Sequence, residues 1–460
     1  MNRPILAPAF CAANGIIITR CECKTIYFEL LDINDAVLQS RVKKAFSGFQ
    51  CIFNELENDS FNLKLSQLFS EEQSSNVVLS SDSRESIIDK IADDAPVINL
   101  LNSIFLEAIS KRASDIHIES GFNQSAIRFR VDGLLMTVKT ISQERSIAIS
   151  ARLKILANLN VLENRRPQDG HIDVKTDSYS LDVRISIIPA IWGESIVLRL
   201  LNRSDSPCSL DSLGFSALHT AHLNEIKSIR AGLILATGPT GSGKTTTLTA
   251  ILKELNTNNT KIISIEDPVE YRTEGITQIQ VNEELQLTFD AILRRIFRQD
   301  PDIIMVGEIR DIETAELAVR AALTGHLVLA TLHTNNAIEA VYRLQNMGIP
   351  PYMLAAVLRM IIAQRLIRKI CPKCEANGCA HCSNTGYWGR TVAAEIVPID
   401  RELSSMIADG VGIGQLRLHL QEKSFKTIFD DAKEKASAGI TTEAEMQREL
   451  GSSVAFGNNI

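Results

Sequence analysis

Apolar residues recur along this chain with two different periods. From Ala95 to Ala113 the run APVINLLNSIFLEAISKRA returns a hydrophobic side chain every three or four positions, the spacing of one helix face. The segments SDIHIES, SAIRFRVDG, LDVRISIIP and SIVLRLL alternate apolar and polar positions, as half-buried strands do. A helical stretch, SIAISARLKILANLN, lies among them. Together they predict an α+β module over residues 85–203. Farther on, GLILATG, TKIISIED, PDIIMVGE and HLVLATLHT are nearly continuous apolar runs separated by helix-like segments. That pattern predicts a buried parallel sheet, hence an α/β module over residues 208–450. Residues 1–70 mix the short apolar runs GIIIT and TIYFELL with a helical VLQSRVKKAF and carry no recognisable chemistry, so they read as a docking or packing domain. The Ser-rich, charged, aperiodic SEEQSSNVVLSSDSRES places a linker at residues 71–84. No internal repeat is visible.

The 460 residues exceed one ordinary core, in keeping with several modules. With 45% hydrophobic and 22% charged residues the chain is ordinary for a globular protein, and a net charge of -7 gives no basic field to draw it onto nucleic acid. The best apolar run, PPYMLAAVLRMIIAQRLI, is broken by Arg359, Gln364 and Arg365 and cannot span a bilayer as a helix. The first residues, MNRPILAPAFCAANG, lack the long apolar core of a secretory signal. A cytosolic protein is expected, touching membrane only through a partner or a peripheral surface.

Chemistry enters at GPTGSGKTTTL. Gly238-x-x-x-x-Gly243-Lys244-Thr245 follows an apolar strand and precedes a good helix former, the context a phosphate-binding loop requires. Gly238, Gly241 and Gly243 let backbone N–H groups of the loop, with Pro239, Thr240, Ser242 and Thr246, turn toward phosphate oxygens. Lys244 supplies charge between the β- and γ-phosphates, and the Thr245 hydroxyl suits Mg²⁺. Glu308 ends the strand PDIIMVGE, where an acid holds Mg²⁺ directly or through water. Glu266 and Asp267 end another strand, Pro268 stops it and Glu270 follows; one of these acids can polarise an attacking water. The alternative for the three is a solvated turn. His326 and His333 flank LVLATL, with Thr334 after it, as γ-phosphate or intersubunit sensors or as structural histidines.

Taken together, GPTGSGKTTTL, IEDPVEY, RQDPDIIMVGEIRD and TGHLVLATLHTNNA resemble the Walker A, Asp, Walker B and His boxes of the secretion traffic ATPases. That family includes the type II secretion ATPase GspE, the type IV pilus extension ATPase PilB and the retraction ATPase PilT. ASDIHIE, RFRVDG, RRPQDGHI and VRISIIPAIWGESIVLRLL resemble the PAS-like domain that precedes its RecA-like motor. The resemblance covers most of residues 85–450. It implies a homohexameric ring that hydrolyses ATP bound between the two domains of a subunit, with arginines of the PAS-like domain reaching the nucleotide. By position these are Arg184 and Arg199, and after them Arg166. The plain alternative is the wet face of a sheet. It also implies an inner-membrane platform protein and a cytoplasmic-face docking protein as partners in a type II secretion or type IV pilus system. His171 stands where the family usually has Arg, and the tail keeps GITT-x-x-E but lacks the usual Gly-Met before it.

Of nine cysteines, four fall in CPKCEANGCAHC. Cys371, Cys374, Cys379 and Cys382 supply enough thiolates to close a tetrahedral Zn²⁺ shell, and a closed shell is structural. Gly378 lets the chain turn back, and His381 either competes as a ligand or faces solvent. A redox pair would need one C-x-x-C motif, not two. Basic residues Arg365, Arg368, Lys369 and Lys373 precede the knuckle and can meet acidic lipid headgroups, or else form a solvated face. The knuckle favours the assembly motors over the retraction motors, which generally lack it. A rival reading, a nucleic-acid-stimulated P-loop translocase with a cysteine finger, lacks a basic stripe with stacking aromatics.

Overall fold

The computed structural model describes residues 16–22, 25–31, 36–46, 48–56, 95–175, 180–202, 209–423 and 425–451. The chain forms two compact units, Met1–Arg84 and Glu85–Ile460. The expected linker at 71–84 lies outside the described residues.

In the first unit, β1 (Ile16–Glu22) pairs antiparallel with β2 (Thr25–Leu30), and β3 (Gln50–Glu55) joins β2 in parallel after helix α1 (Ala36–Ala45). Ile26, Phe28 and Leu30 alternate inward along β2 and meet Leu38 and Val42 of α1. Phe28 stacks on Phe53 at 5.3 Å between ring centroids.

The second unit begins with α2 (Ala95–Ser110), β4 (Ala113–Ser120), β5 (Gln124–Val131), β6 (Leu134–Ser142) and α3 (Gln143–Leu156). β7 (Gln168–Lys175), β8 (Ser180–Ala190) and β9 (Gly193–Asn202) complete an antiparallel sheet of order β6-β5-β4-β9-β8-β7. The predicted alternation is met: Ile116, Ile118, Phe129, Val183, Ile185 and Leu198 turn to the helices and are at most 2% exposed. Their neighbours form an opposite face lined with charge. Asp132 and Gly133, both at positive φ, close the two-residue β5–β6 turn as hairpins of this length demand.

A helix, α4 (Ala217–Glu225), leads to the larger sheet. Its elements follow in order: β10 (Gly232–Thr237), α5 (Lys244–Leu255), β11 (Ile262–Glu266), β12 (Ile276–Gln280), α6 (Phe289–Ile296) and β13 (Ile303–Val306). Then come α7 (Ile312–Leu323), β14 (Leu327–Leu332), α8 (Ala337–Asn346), α9 (Pro351–Val357), β15 (Leu358–Ile370) and β16 (Tyr387–Pro398). Strand order is β12-β11-β13-β14-β10-β15-β16, parallel except for β16. Every residue of β10, β11, β13 and β14 is buried, because helices cover both faces. The apolar run weighed as a membrane span divides into α9 and the thirteen-residue β15. Among the described residues no helix is long and apolar enough to cross a membrane.

The cysteine knuckle is the connection between β15 and β16. Four helices finish the chain: α10 (Arg401–Ala408), α11 (Ile413–Glu422), α12 (Ile428–Ser437) and α13 (Glu443–Leu450). Despite the missing Gly-Met, the tail is firmly tied to β15. Ile370 N donates to Ile440 O at 2.9 Å, Thr441 Oγ1 donates to Arg368 O at 2.7 Å, and Glu445 pairs with the Arg368 guanidinium.

Candidate functional site

β10 ends at Thr237, and the chain wraps through Gly238–Gly243 into the amino terminus of α5. At Gly238 φ is +149°, and a Cβ would approach the Gln364 carbonyl oxygen to 2.5 Å, so only glycine fits. Lys244 turns inward, its Nζ donating to Gly238 O at 2.8 Å and Pro239 O at 2.9 Å. Loss of solvent lowers its pKa to about 8; nearby Arg365 lowers it too, while Glu308 and Glu270 oppose the shift. Pro239 and Thr240 are exposed and, with His333, Thr334 and Asn335, border an open cavity of ≈ 540 Å³. Thr245 and Thr246 are half-buried on the first turn of α5.

The acids gather at the same carboxyl edge of the sheet. Glu308 follows β13 and accepts from Arg310 Nε at 2.8 Å, with His333 Nε2 at 3.5 Å. Burial works to raise its pKa, but Arg310, His333 and Lys244 together bring it below the ordinary value. His333 is itself held toward neutrality by burial and Lys244, against the pull of Glu308. Glu266 is 4% exposed and already engaged, accepting from Ser264 Oγ at 2.6 Å and Gln278 Nε2 at 2.9 Å. Asp267 faces Arg310 at 3.7 Å. Glu270 sits at the mouth of the cleft with one side open to solvent. Desolvation by the cleft walls, then the Glu266 charge, raise its pKa, while Arg199, Arg184 and Lys244 pull the other way.

Arg184 and Arg199 are cross-strand neighbours on β8 and β9, on the charged face of the smaller sheet. That row continues to His171 beside Arg184 and Asp115 beside Arg199, whose carboxylate accepts from Arg199 Nε at 3.2 Å. The charges of both arginines are felt at Glu270, where they work to lower its pKa. Arg166 lies elsewhere, exposed beside Glu163. His171 is paired with Asp182.

Two expectations are corrected. His326 immediately precedes β14 at the amino edge of the sheet, roughly 20 Å by strand rise from the phosphate loop. Its Nδ1 contacts Ala321 O at 2.9 Å and Thr324 Oγ1 at 3.1 Å, so it ties off the end of α7 and does not sense a γ-phosphate in its own chain. Second, Arg365 and Arg368 are 4% and 8% exposed because β15 runs inside the sheet, which leaves Lys369 and Lys373 as the exposed cations before the knuckle.

At the knuckle, the Sγ atoms of Cys371, Cys374, Cys379 and Cys382 all lie within 4.8 Å of one another. Cys371–Cys379, Cys374–Cys382 and Cys379–Cys382 are separated by 3.9, 3.7 and 3.7 Å. A tetrahedron of ~2.3 Å Zn–S bonds has edges of about 3.8 Å, so the four sulfurs fit that ion. The N–H groups of Cys379 and Gly386 point at Cys382 Sγ, both at 3.3 Å, and favour its thiolate against the effect of burial. His381 is no ligand here: its ring stacks on Trp388 at 3.9 Å.

Reading the sequence by motif missed Thr237, Arg310, Gln364 and Arg365, which hold the site without forming part of its phosphate-facing surface. Arg310 stands inside the quoted Walker B segment, and its i+2 spacing from Glu308 on a strand exit was the available signal.

A parallel sheet with a phosphate loop at its carboxyl edge, an acid two strands away at the same edge and a neighbouring antiparallel sheet defines a P-loop nucleotide-dependent motor of the RecA-like class. The profile of the family described as type II/IV secretion system protein matches residues 90–448, and the chain belongs to that family. It is 39% identical over 462 aligned residues to the type II secretion system ATPase E of Vibrio cholerae, covering 92% of this chain and 91% of that protein. It is 42% identical over 386 residues to the type IV pilus assembly ATPase PilB of Myxococcus xanthus, covering 78% of this chain and 68% of that one. Among solved structures, the pilus retraction motor PilT with bound ADP superposes with a TM-score of 0.54 at 27% identity, covering 75% of this chain and 95% of that one.

Proposed function

We propose that this chain hydrolyses ATP to power assembly of pilins or pseudopilins in a type II secretion or type IV pilus system. The observation that carries this reading is the gathering of the phosphate loop, His333 and Glu308 at one edge of the larger sheet: Pro239, Thr240 and His333 border one cavity, and His333 Nε2 lies 3.5 Å from Glu308. On nucleotide binding Lys244 leaves the Gly238 and Pro239 carbonyls for the β- and γ-phosphates. Thr245 and Glu308 would hold Mg²⁺, which would supply charge to neutralise the phosphate oxygens. Glu270 orients a water and accepts its proton as the water oxygen bonds to the γ-phosphorus. Its raised pKa makes it a better base than an ordinary carboxylate. The bond from the γ-phosphorus to the bridging oxygen breaks, and ADP departs with that oxygen's electrons. Glu266, committed to Ser264 and Gln278, contributes charge and not proton transfer. Arg184 and Arg199 neutralise charge on the γ-phosphoryl group, so its loss frees the smaller sheet to move against the larger.

Residues 1–70 serve as the docking domain, 71–84 as the linker, 85–203 as the PAS-like domain and 208–450 as the motor. Zn²⁺ in the four-thiolate knuckle is structural. The working form is a homohexamer on the cytoplasmic face of the inner membrane, held there by a platform protein and a docking protein, with Lys369 and Lys373 available to acidic lipid.

Phosphate release by the wild type, Lys244→Ala and Glu308→Gln tests the reading. A loss of roughly a hundredfold or more is expected in both variants, the scale of removing a positioned charge from a phosphoryl-transfer site. Equal rates in all three would remove it.

A further inference from the structure

We propose that Gln364 and Arg365, consecutive residues of β15, are positioning residues that set the phosphate loop and the His333–Asn335 loop relative to each other, one from each face of the sheet. The inference rests on the nucleotide-hydrolysis reading and adds two residues to its machinery. β15 lies parallel beside β10, with Ala363 opposite Thr237. At that level β10 stops and its chain becomes the phosphate loop, whereas β15 continues to Ile370. Gln364, still paired with Ala394 of β16, is therefore the first residue past the end of β10 and lies against the loop.

Its side chain is fully buried, and Nε2 donates to Ser242 O at 2.7 Å. The loop is shaped around it. A Cβ at Gly238 would meet the Gln364 carbonyl oxygen at 2.5 Å, and one at Gly243 would meet Nε2 at 3.2 Å. Glycine at 238 is thus required by this neighbour as well as by phosphate, and at 243 the fit is tight. Gln364 Oε1 has no partner among the described residues, an unmade buried bond that is costly to keep. A leucine of similar bulk would remove that cost, so the amide is explained by its donor end.

Successive strand residues point to opposite faces. Arg365, 4% exposed, sends Nη2 to Asn335 O at 3.1 Å and Asn335 Oδ1 at 3.3 Å, and Nη1 to Gln364 O at 3.1 Å. No carboxylate lies within ion-pair distance of it among the described residues, so its charge is spent on the loop carrying His333 and Thr334. Burial lowers its pKa, and its charge in turn reaches Lys244. Thr237 Oγ1 accepts from Thr334 N at 2.9 Å, so the two loops also touch directly. The phosphate loop contacts nucleotide in ground and transition states alike, whereas the His333 loop faces Glu308, where charge develops during transfer. The two residues should then fail differently.

The full-length chain is assayed as wild type, Gln364→Leu, Gln364→Glu and Arg365→Met, by binding of a fluorescent ADP and by steady-state phosphate release. Gln364→Leu is expected to weaken ADP binding and raise KM about tenfold, the scale of one lost hydrogen bond that leaves a buried carbonyl unpaired. Its kcat should stay within about twofold. Arg365→Met is expected to lower kcat about tenfold with ADP affinity unchanged. Gln364→Glu keeps the shape and donates only when protonated, so its ADP affinity should fall with rising pH through its own carboxyl titration, a dependence a mere packing role would not give. Ligand-free melting curves establish that each variant is folded. Should Gln364→Leu not fold, Gln364→Glu carries the same reading through its pH profile. Unchanged binding in both Gln364 variants, or parallel changes of KM and kcat in all three, overturns the proposal while leaving ATP hydrolysis standing. A wild type that binds no nucleotide overturns both.

Discussion

Lys244 illustrates how one side chain carries a testable state of the whole site. It donates to Gly238 O and Pro239 O, and burial brings its pKa from 10.5 to about 8. The folded value is depressed, so the group opposes folding below pH 8, and that cost is relieved as pH rises from 8 toward 10.5. Phosphate oxygens reverse the balance by favouring the ammonium. ADP binding should therefore take up a proton at about pH 9 and none from this group at about pH 7, with affinity falling as pH climbs past 8. Calorimetry in two buffers of different ionisation enthalpy measures the uptake. Affinity that is flat from about pH 7 to about pH 9.5 would show that Lys244 is not the titrating group. Glu270 is the complementary case, an acid whose pKa is raised by burial and by Glu266. Neither shift is visible in the motifs, because each arises first from burial, which only the folded chain supplies.

Among the elements, β15 joins more of the molecule than any motif in the sequence indicated. It passes the phosphate loop at Gln364, receives the C-terminal tail at Arg368 and ends at the first knuckle cysteine. Glu445 anchors the tail, accepting from Arg368 N at 3.1 Å and from both Arg368 and Arg448 guanidinium groups. Burial alone would raise its pKa, but these donors outweigh it and hold it at about 2. The stability this supplies is fully present above 4.5, the ordinary value, and is lost as pH falls toward 2. The shift corresponds to about 3 kcal/mol. Glu445→Gln should lower the melting temperature near neutral pH, with the gap from wild type closing across that acid window. A gap that stays constant down to about pH 2 would assign the tail's stability to packing alone. The strands of the parallel sheet were legible because uninterrupted apolar runs have one common cause, burial on both faces. β15 was not, since Arg359, Gln364 and Arg365 read as interruptions until their partners across the fold are seen. The phosphate loop and the thiolate set were legible because their chemistry is local. Arg184 and Arg199 entered only through a family resemblance, and the choice between a sensing and a structural His326 stayed open because its partners, Ala321 O and Thr324 Oγ1, are marked by no motif.

On the scale of the molecule, the start of β16, directly after the cysteine knuckle, seats the smaller sheet on the larger. Asp132, at the β5–β6 turn, accepts from Gly389 N at 2.8 Å and pairs with Arg112 at 3.3 Å and Arg390 at 3.9 Å. The Arg112 guanidinium lies 4.0 Å from the Trp388 ring, whose other neighbour is His381, between the last two cysteines. A cation over an aromatic face and a carboxylate on a backbone amide together contribute roughly 2–3 kcal/mol, enough to hold two sheets in one orientation yet small against a nucleotide's binding energy. The joint should therefore open and close during turnover, and its integrity should depend on the metal. Only two tryptophans are present, so Trp192→Phe leaves Trp388 as the reporter. In that background Asp132→Ala should shift Trp388 emission to the red and speed hydrogen exchange at the Gly389 amide. Stripping the metal with a chelator should produce the same two changes with Asp132 intact, because the knuckle then no longer fixes His381 and Trp388. Should chelation leave Trp388 unmoved while Asp132→Ala moves it, the metal would be confined to the hairpin tip and the seat would stand on β16 alone.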